Sequence, residues 1–271
     1  ELTGRDVLKV MHAYGANGIV TELTVPLAPA LPWAEAIATF PDLATAARFG
    51  QAFTEADGIA KKLVSIHDPR IPPMLRRLVP AGDAMALLMV SEPQFGAMVT
   101  IVAEHGGTVT WQRGAEDARR AAFDGEGAIA PLYEYSWNHT TLHALKVDPT
   151  ITYLQLRFQP GTNLEKVEWV RQRYPDEILL HLEFQRRFGR VTCSSLPIVR
   201  YTTEARLRAI MAELDAAEVA VSDPHTYRLD HAGWKRVDAP QAEFKRIADP
   251  LFLLNPGKLV VSDAVRAAMS R

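Results

Sequence analysis

Trp33-Ala-Glu-Ala-Ile-Ala-Thr-Phe40, the Ala-rich run Pro41 to Asp57 and Lys61-Lys-Leu-Val-Ser-Ile-His67 read in turn as strand, helix and strand, with Gly58 stopping the helix. Working outward, Ala84 to Val90 reads as a third strand. Glu92 to His105 reads as a helix stopped by Gly106-Gly107, and Thr108 to Gln112 as a fourth strand. The order is β-α-β-β-α-β. It recurs: Thr152 to Phe158 is a strand, and Asn163 to Tyr174 is a helix with Asn163 as its N-cap. Ile178 to Gln185 and Val191 to Val199 are strands, Thr202 or Thr203 caps a helix to Ala217, and Val219 to Asp223 closes the unit. The pattern predicts an α+β fold of two ferredoxin-like units, at about 31–112 and 150–223. They would share one wide antiparallel sheet with helices on one face.

Composition narrows the function classes. The chain has 271 residues, 48% hydrophobic, with a net charge of -2, which gives no reason to expect nucleic acid or an anionic membrane surface. No apolar run approaches the ~20 residues that span a bilayer. A single cysteine, Cys193, excludes an internal disulfide, reads as a buried structural thiol and points to a cytoplasmic chain. Glu1 is not an initiator methionine, so a truncated start is expected. Asp6 to Tyr14 reads as a helix end stopped by Gly15, and Ile19 to Leu27 as a strand running into a linker at Pro26 and Pro29. Gln241 to Ala248 reads as a last helix.

Two segments concentrate residues able to carry chemistry. Between the halves, Tyr133, Tyr135, Trp137, Asn138, His139 and His143 fall within eleven positions. An apolar wall with a few polar groups suits a substrate pocket. His139 and His143 have the four-residue spacing of a helical metal pair, but no third ligand is evident. The second segment is Val221-Ser-Asp-Pro-His-Thr-Tyr-Arg228. Arg228 could clamp a carboxylate through two hydrogen bonds. Glu183, Arg186, Arg187 and Arg190 read as a solvated edge.

The two ends carry a resemblance. Asp249-Pro-Leu-Phe-Leu-Leu-Asn-Pro-Gly-Lys-Leu259, with its Asn255-Pro256-Gly257-Lys258 run, resembles the C-terminal signature of FAD-linked oxidases of the vanillyl-alcohol oxidase and p-cresol methylhydroxylase type. Gly15-Ala-Asn-Gly-Ile-Val-Thr-Glu-Leu-Thr-Val25 resembles the strand that closes that family's FAD-binding domain. The resemblance implies that 1–30 is a remnant of the FAD-binding domain and 31–248 a cap, or substrate, domain. Residues 249–271 would be a tail returning to the flavin. Gly18, Ile19, Val20, Asn255 and Lys258 would then face FAD, whose remaining site lies upstream of residue 1.

In the hydroxy-acid branch a "SAEHG" motif supplies a metal-ligating glutamate and a histidine base. Ser222 and His225 match it, whereas Pro224 stands at the glutamate position, so the base carries over and the metal does not. That branch's "HxGDGNxH" run has a poor counterpart in Trp137 to His143, which lacks the Gly-Asp-Gly core. The implied activity is oxidation of a hydroxy acid such as D-lactate or glycolate by hydride transfer to FAD. His225 would be the base, with His139 at the pocket and Tyr133, Tyr135, Trp137, Asn138 and Arg228 holding substrate. Without the upstream domain the chain is expected to be inactive. The expected partners are that domain, a small-molecule substrate and an unidentified electron acceptor, with a homodimer left open. Two alternatives stand beside it: a phenolic or sugar alcohol oxidase of the same family, and a non-catalytic ferredoxin-like module for ligand binding or association.

Overall fold

The computed structural model describes residues 1–75, 82–228 and 239–258. The chain divides into two compact units, Ala30–Val221 and Glu1–Pro29 with Ser222–Arg271. No helix among the described residues is long and apolar enough to cross a membrane.

The first half of the larger unit follows its sequence pattern. It runs β1 (Trp33–Phe40), α1 (Leu43–Glu55), β2 (Lys61–His67), β3 (Ala84–Ser91), α2 (Phe95–Glu104) and β4 (Thr108–Arg113). Asp42 starts α1 by accepting the Thr45 N–H at 2.7 Å, which satisfies one of the helix's orphan donors. α3 (Ala115–Phe123) and α4 (Asn138–Leu145) fill the span between the halves.

In the second half each of the first three strands is broken in two. The pieces are β5 (Ile151–Tyr153) with β6 (Gln155–Arg157), β7 (Ile178–Leu179) with β8 (His181–Arg187), and β9 (Arg190–Ser195) with β10 (Ile198–Arg200). α5 (Asn163–Arg173), α6 (Glu204–Ala216) and β11 (Ala220–Ser222) complete the repeat. The breaks fall at Leu154, Leu180 and Leu196-Pro197. Proline has no N–H for the ladder, and the Leu180 carbonyl accepts from the Asp68 N–H at 2.9 Å. The outer pieces form a separate three-stranded sheet, β5-β10-β7.

The main sheet has eight strands in the order β11-β6-β9-β8-β2-β3-β1-β4, and the pairs with a described register are antiparallel. Outward from its centre, each half presents its second, third, first and fourth strand. The duplication predicted from the sequence is therefore an α+β fold whose halves join through their second strands. At that seam Ser65 pairs with Glu183, Ile66 with Leu182 and His67 with His181.

Alternation then decides what each face holds. One face carries Ile66, Leu182 and Phe184 into the larger core, with Phe49 and Phe53 of α1, Val102 of α2, Val170 of α5 and Leu214 of α6. The other face carries Ile37, Leu63, Met85 and Leu87 into a smaller core, covered by Ile71, Leu75, Leu132 and Ala144. With both faces covered, β3 is buried along its whole length, which explains its uninterrupted apolar sequence.

Local readings needed correction. Thr162, with no side-chain cap bond, precedes α5, while Asn163 is its first helical residue and donates its amide to Gln51 Oε1 at 2.8 Å. Thr203 does cap α6, accepting from the Arg206 N–H at 3.1 Å. Asp6 to Tyr14 forms only a short 3-10 turn, Gly4–Lys9. Ile19 to Leu27 forms no strand: the main chain of 18–29 makes no hydrogen bond among the described residues. The last helix, α7 (Ala239–Ala248), begins two residues earlier than expected. Residues 259–271 of the expected tail lie outside the described residues.

Candidate functional site

Because Ser65, His67, His181 and Glu183 alternate with core residues, all four point to the second face of the sheet at its centre. All four are buried. Ser65 Oγ lies 2.9 Å from His67 Nε2 and 3.0 Å from His181 Nε2, and it donates to Glu183 Oε1 at 3.0 Å. His181 Nε2 lies 2.6 Å from the same carboxylate oxygen. With the serine proton directed at Glu183, the serine oxygen is left to accept from the His67 Nε2–H. The Nδ1 atoms of His67 and His181 are buried and have no hydrogen-bond partner among the described residues. The rings stack with centroids 4.4 Å apart. Burial, and secondarily the neighbouring His181, hold the His67 imidazole well below the usual imidazole range.

Glu183 was expected on a solvated edge. The strand order overturns that, since β8 lies mid-sheet and Glu183 is 1% exposed. Arg186, on the same strand, is exposed as expected and pairs with Asp57.

Glu183 also reaches the segment between the halves. Its Oε1 accepts the Trp137 N–H at 2.7 Å, and Glu35 Oε1, on β1, accepts the Leu132 N–H at 2.9 Å. Arg113 pairs with Glu35 and donates to the Ile129 carbonyl at 2.8 Å. Two buried carboxylates thus hold the short 3-10 turn Leu132–Tyr135 and the start of α4 on the sheet. Trp137, between them, has φ 51° and ψ −135°. That left-handed region is costly for a bulky residue.

The other residues picked from this segment are brought together around that turn. Tyr133 and Tyr135 are half-buried; Lys62 Nζ sits 5.2 Å from the Tyr133 ring centroid, and Tyr135 stacks on His143 at 5.0 Å. His139 Nδ1 lies 2.7 Å from Glu134 Oε2 at a half-exposed position. His143 Nε2 lies 3.1 Å from the Glu134 carbonyl, and burial lowers its pKa. Asn138 Oδ1 and Thr141 Oγ1 are buried without partners among the described residues. No group of three metal-ligating side chains forms among the described residues. Residue types alone flagged this segment. The seam quartet carried no such signal, since Ser65 and His181 are 116 positions apart and meet only through the strand register.

The remaining picks lie in the smaller unit, where the chain ends meet. Lys245 Nζ donates to the Ala16 carbonyl at 2.7 Å and pairs with Asp249 at 2.8 Å. Asn17 Nδ2 donates to the Gln241 carbonyl at 2.8 Å, and Asn255 donates to the Tyr14 carbonyl. Gly15 has φ +67°, and a Cβ there would fall 2.8 Å from Asn255 Nδ2. Lys258 Nζ lies over the Tyr227 ring at 3.9 Å. His225 is exposed; its N–H is held by Asp223 Oδ1 at 2.9 Å, and Arg228 N–H donates to Thr226 Oγ1 at 3.3 Å. Gly18 has φ +122°, and Ile19 and Val20 are exposed.

These groups suit a cofactor held by main-chain atoms. Gly18 adopts a backbone that L side chains avoid, and the main chain of 18–29 makes no main-chain hydrogen bond among the described residues. Asn255, by contrast, uses its amide nitrogen to hold the Tyr14–Gly15 turn.

A cleft of about 610 Å³ opens elsewhere, lined by Asp42, Arg48, Asp68, Arg70, Arg171 and Pro175, and it includes none of the residues picked from the sequence. Its charges are largely paired, Arg70 with Asp68 and Arg171 with Glu168, which argues against an anion site.

No family model matches the chain, and no curated protein matches its sequence. Solved structures do share the fold. Two crystal structures of alkyldihydroxyacetonephosphate synthase, in P1 and in P212121, superpose with a TM-score of 0.50 each, at 12% and 11% identity. Each match covers 86% of this chain and 45% of the other, so the chain spans less than half of those proteins. The fold of this chain is therefore that of a portion of a larger known enzyme.

Proposed function

We propose that the chain is the substrate-binding, or cap, portion of an FAD-dependent oxidoreductase. The observation that carries this reading is the meeting of the chain ends. The glycine turn at Tyr14–Gly15 packs under Asn255, and Lys245 ties Ala16 to the Leu254 carbonyl, so the two segments that resemble flavin-facing motifs form one unit. The fold likeness to a portion of alkyldihydroxyacetonephosphate synthase is in keeping with a chain that is part of a larger enzyme. FAD would supply hydride acceptance. Gly18, Ile19 and Val20 would meet it through the main chain, with Lys258 near its charge. Tyr133, Tyr135, Trp137, Asn138 and His139 would face substrate, Arg228 would hold a carboxylate, and His225 would take the hydroxyl proton.

The substrate class that the resemblance implies is a 2-hydroxy acid such as D-lactate or glycolate. A second reading, an alcohol carried on an aromatic ring, is favoured by the exposed indole of Trp137, which follows two half-buried tyrosines in sequence. The test is anaerobic mixing of the encoded protein, including any segment preceding residue 1, with D-lactate, glycolate or vanillyl alcohol. Bleaching of a bound flavin by one of them supports the reading, and His225→Ala should slow that bleaching without loss of the flavin. A protein that binds no flavin contradicts it.

A further inference from the structure

Trp137 combines three features that packing alone does not require. Its backbone is in a region that glycine favours, its N–H is fixed by a buried carboxylate, and its side chain is 45% exposed. A strained residue persists only where its surroundings over-determine it. Here the surroundings are unusually committed: Glu183 Oε1 receives Trp137, Ser65 and His181 together, and Glu35 fixes Leu132 five residues earlier. Burial of an indole would explain strain, because a core ring contributes to stability. Exposure removes that explanation. A glycine at 137 would satisfy the turn, keep the N–H bond to Glu183 and leave no aromatic surface uncovered.

We infer that Trp137 is a stacking platform for a planar aromatic ligand, and that Glu183 is the positioning residue that holds its backbone for the purpose. The ring stacked on it is either that of an aromatic alcohol substrate or that of the flavin. Both offer the same π face, and indole–ring stacking needs no hydrogen-bond partner on the ligand. Where the ring is the substrate's, this proposal rests on the second substrate reading above, and it is tested independently of flavin retention.

The experiment compares Trp137→Gly, Trp137→Phe and Glu183→Gln with the parent protein, in thermal unfolding and in titration with vanillyl alcohol and with riboflavin as separate probes. Trp137→Gly relieves the backbone and should raise Tm by about 2–4 °C, while weakening binding of the stacking probe about tenfold. Trp137→Phe keeps a ring and should retain most of the binding. Glu183→Gln, which touches no ligand, should lower both Tm and affinity. The probe that loses affinity identifies the source, substrate ring or flavin ring. Trp137→Gly lowering Tm, unchanged binding in that variant, or no binding of either probe by the parent would each overturn the proposal. A protein that binds vanillyl alcohol through Trp137 but holds no FAD would sink the oxidoreductase reading and leave this one standing.

Discussion

The His67 imidazole shows how one buried side chain ties stability to pH. Its folded pKa is depressed by burial, so between pH 6.5 and that lower value the unfolded chain binds a proton that the folded chain does not. Stability from this group is therefore full above about pH 6.5 and falls as the pH drops, by up to roughly 1.4 kcal/mol per pH unit. Urea unfolding across that range should show the slope, and His67→Asn should flatten it; an unchanged slope would reassign the effect. Glu183→Gln should cost about 2 kcal/mol in the same assay, because a buried carboxylate with three donors becomes an amide. Cys193 behaves as its sequence context suggested. Burial raises its thiol to about 12, so a disulfide reagent should leave it unmodified at neutral pH until the protein unfolds.

At the scale of elements, the strands and helices of the first half were legible because their periodicity is set within each element. The bends of the second half were not. Pro197 marks one break in the sequence, but Leu154 and Leu180 look like ordinary strand residues, and only the sheet beside them forces the turn. The seam was equally hidden. Glu183 in isolation is a charge on an amphipathic strand; it becomes a buried hub because β8 pairs with β2 instead of facing solvent. Helix α1 crosses that seam closely. A Cβ at Gly50 would fall 2.6 Å from the Phe184 ring, so Gly50→Ala should lose stability despite alanine's better helix propensity. Overpacking of this kind costs about 1–3 kcal/mol against about 1 kcal/mol gained in the helix, and a raised Tm would contradict the close packing.

For the whole molecule, the sequence order of two similar halves was enough to give the α+β architecture. The strand expected from Ile19 to Leu27 does not form. A strand needs a neighbour to bond, and here Ile19, Leu23, Val25 and Leu27 stay exposed with an uncommitted main chain. The decisive measurement is the visible absorption spectrum of the encoded protein after desalting in the presence and absence of added FAD. The account predicts an oxidised-flavin band that survives desalting in the encoded protein, taken with any segment that precedes residue 1. A colourless encoded protein that takes up no FAD would contradict it.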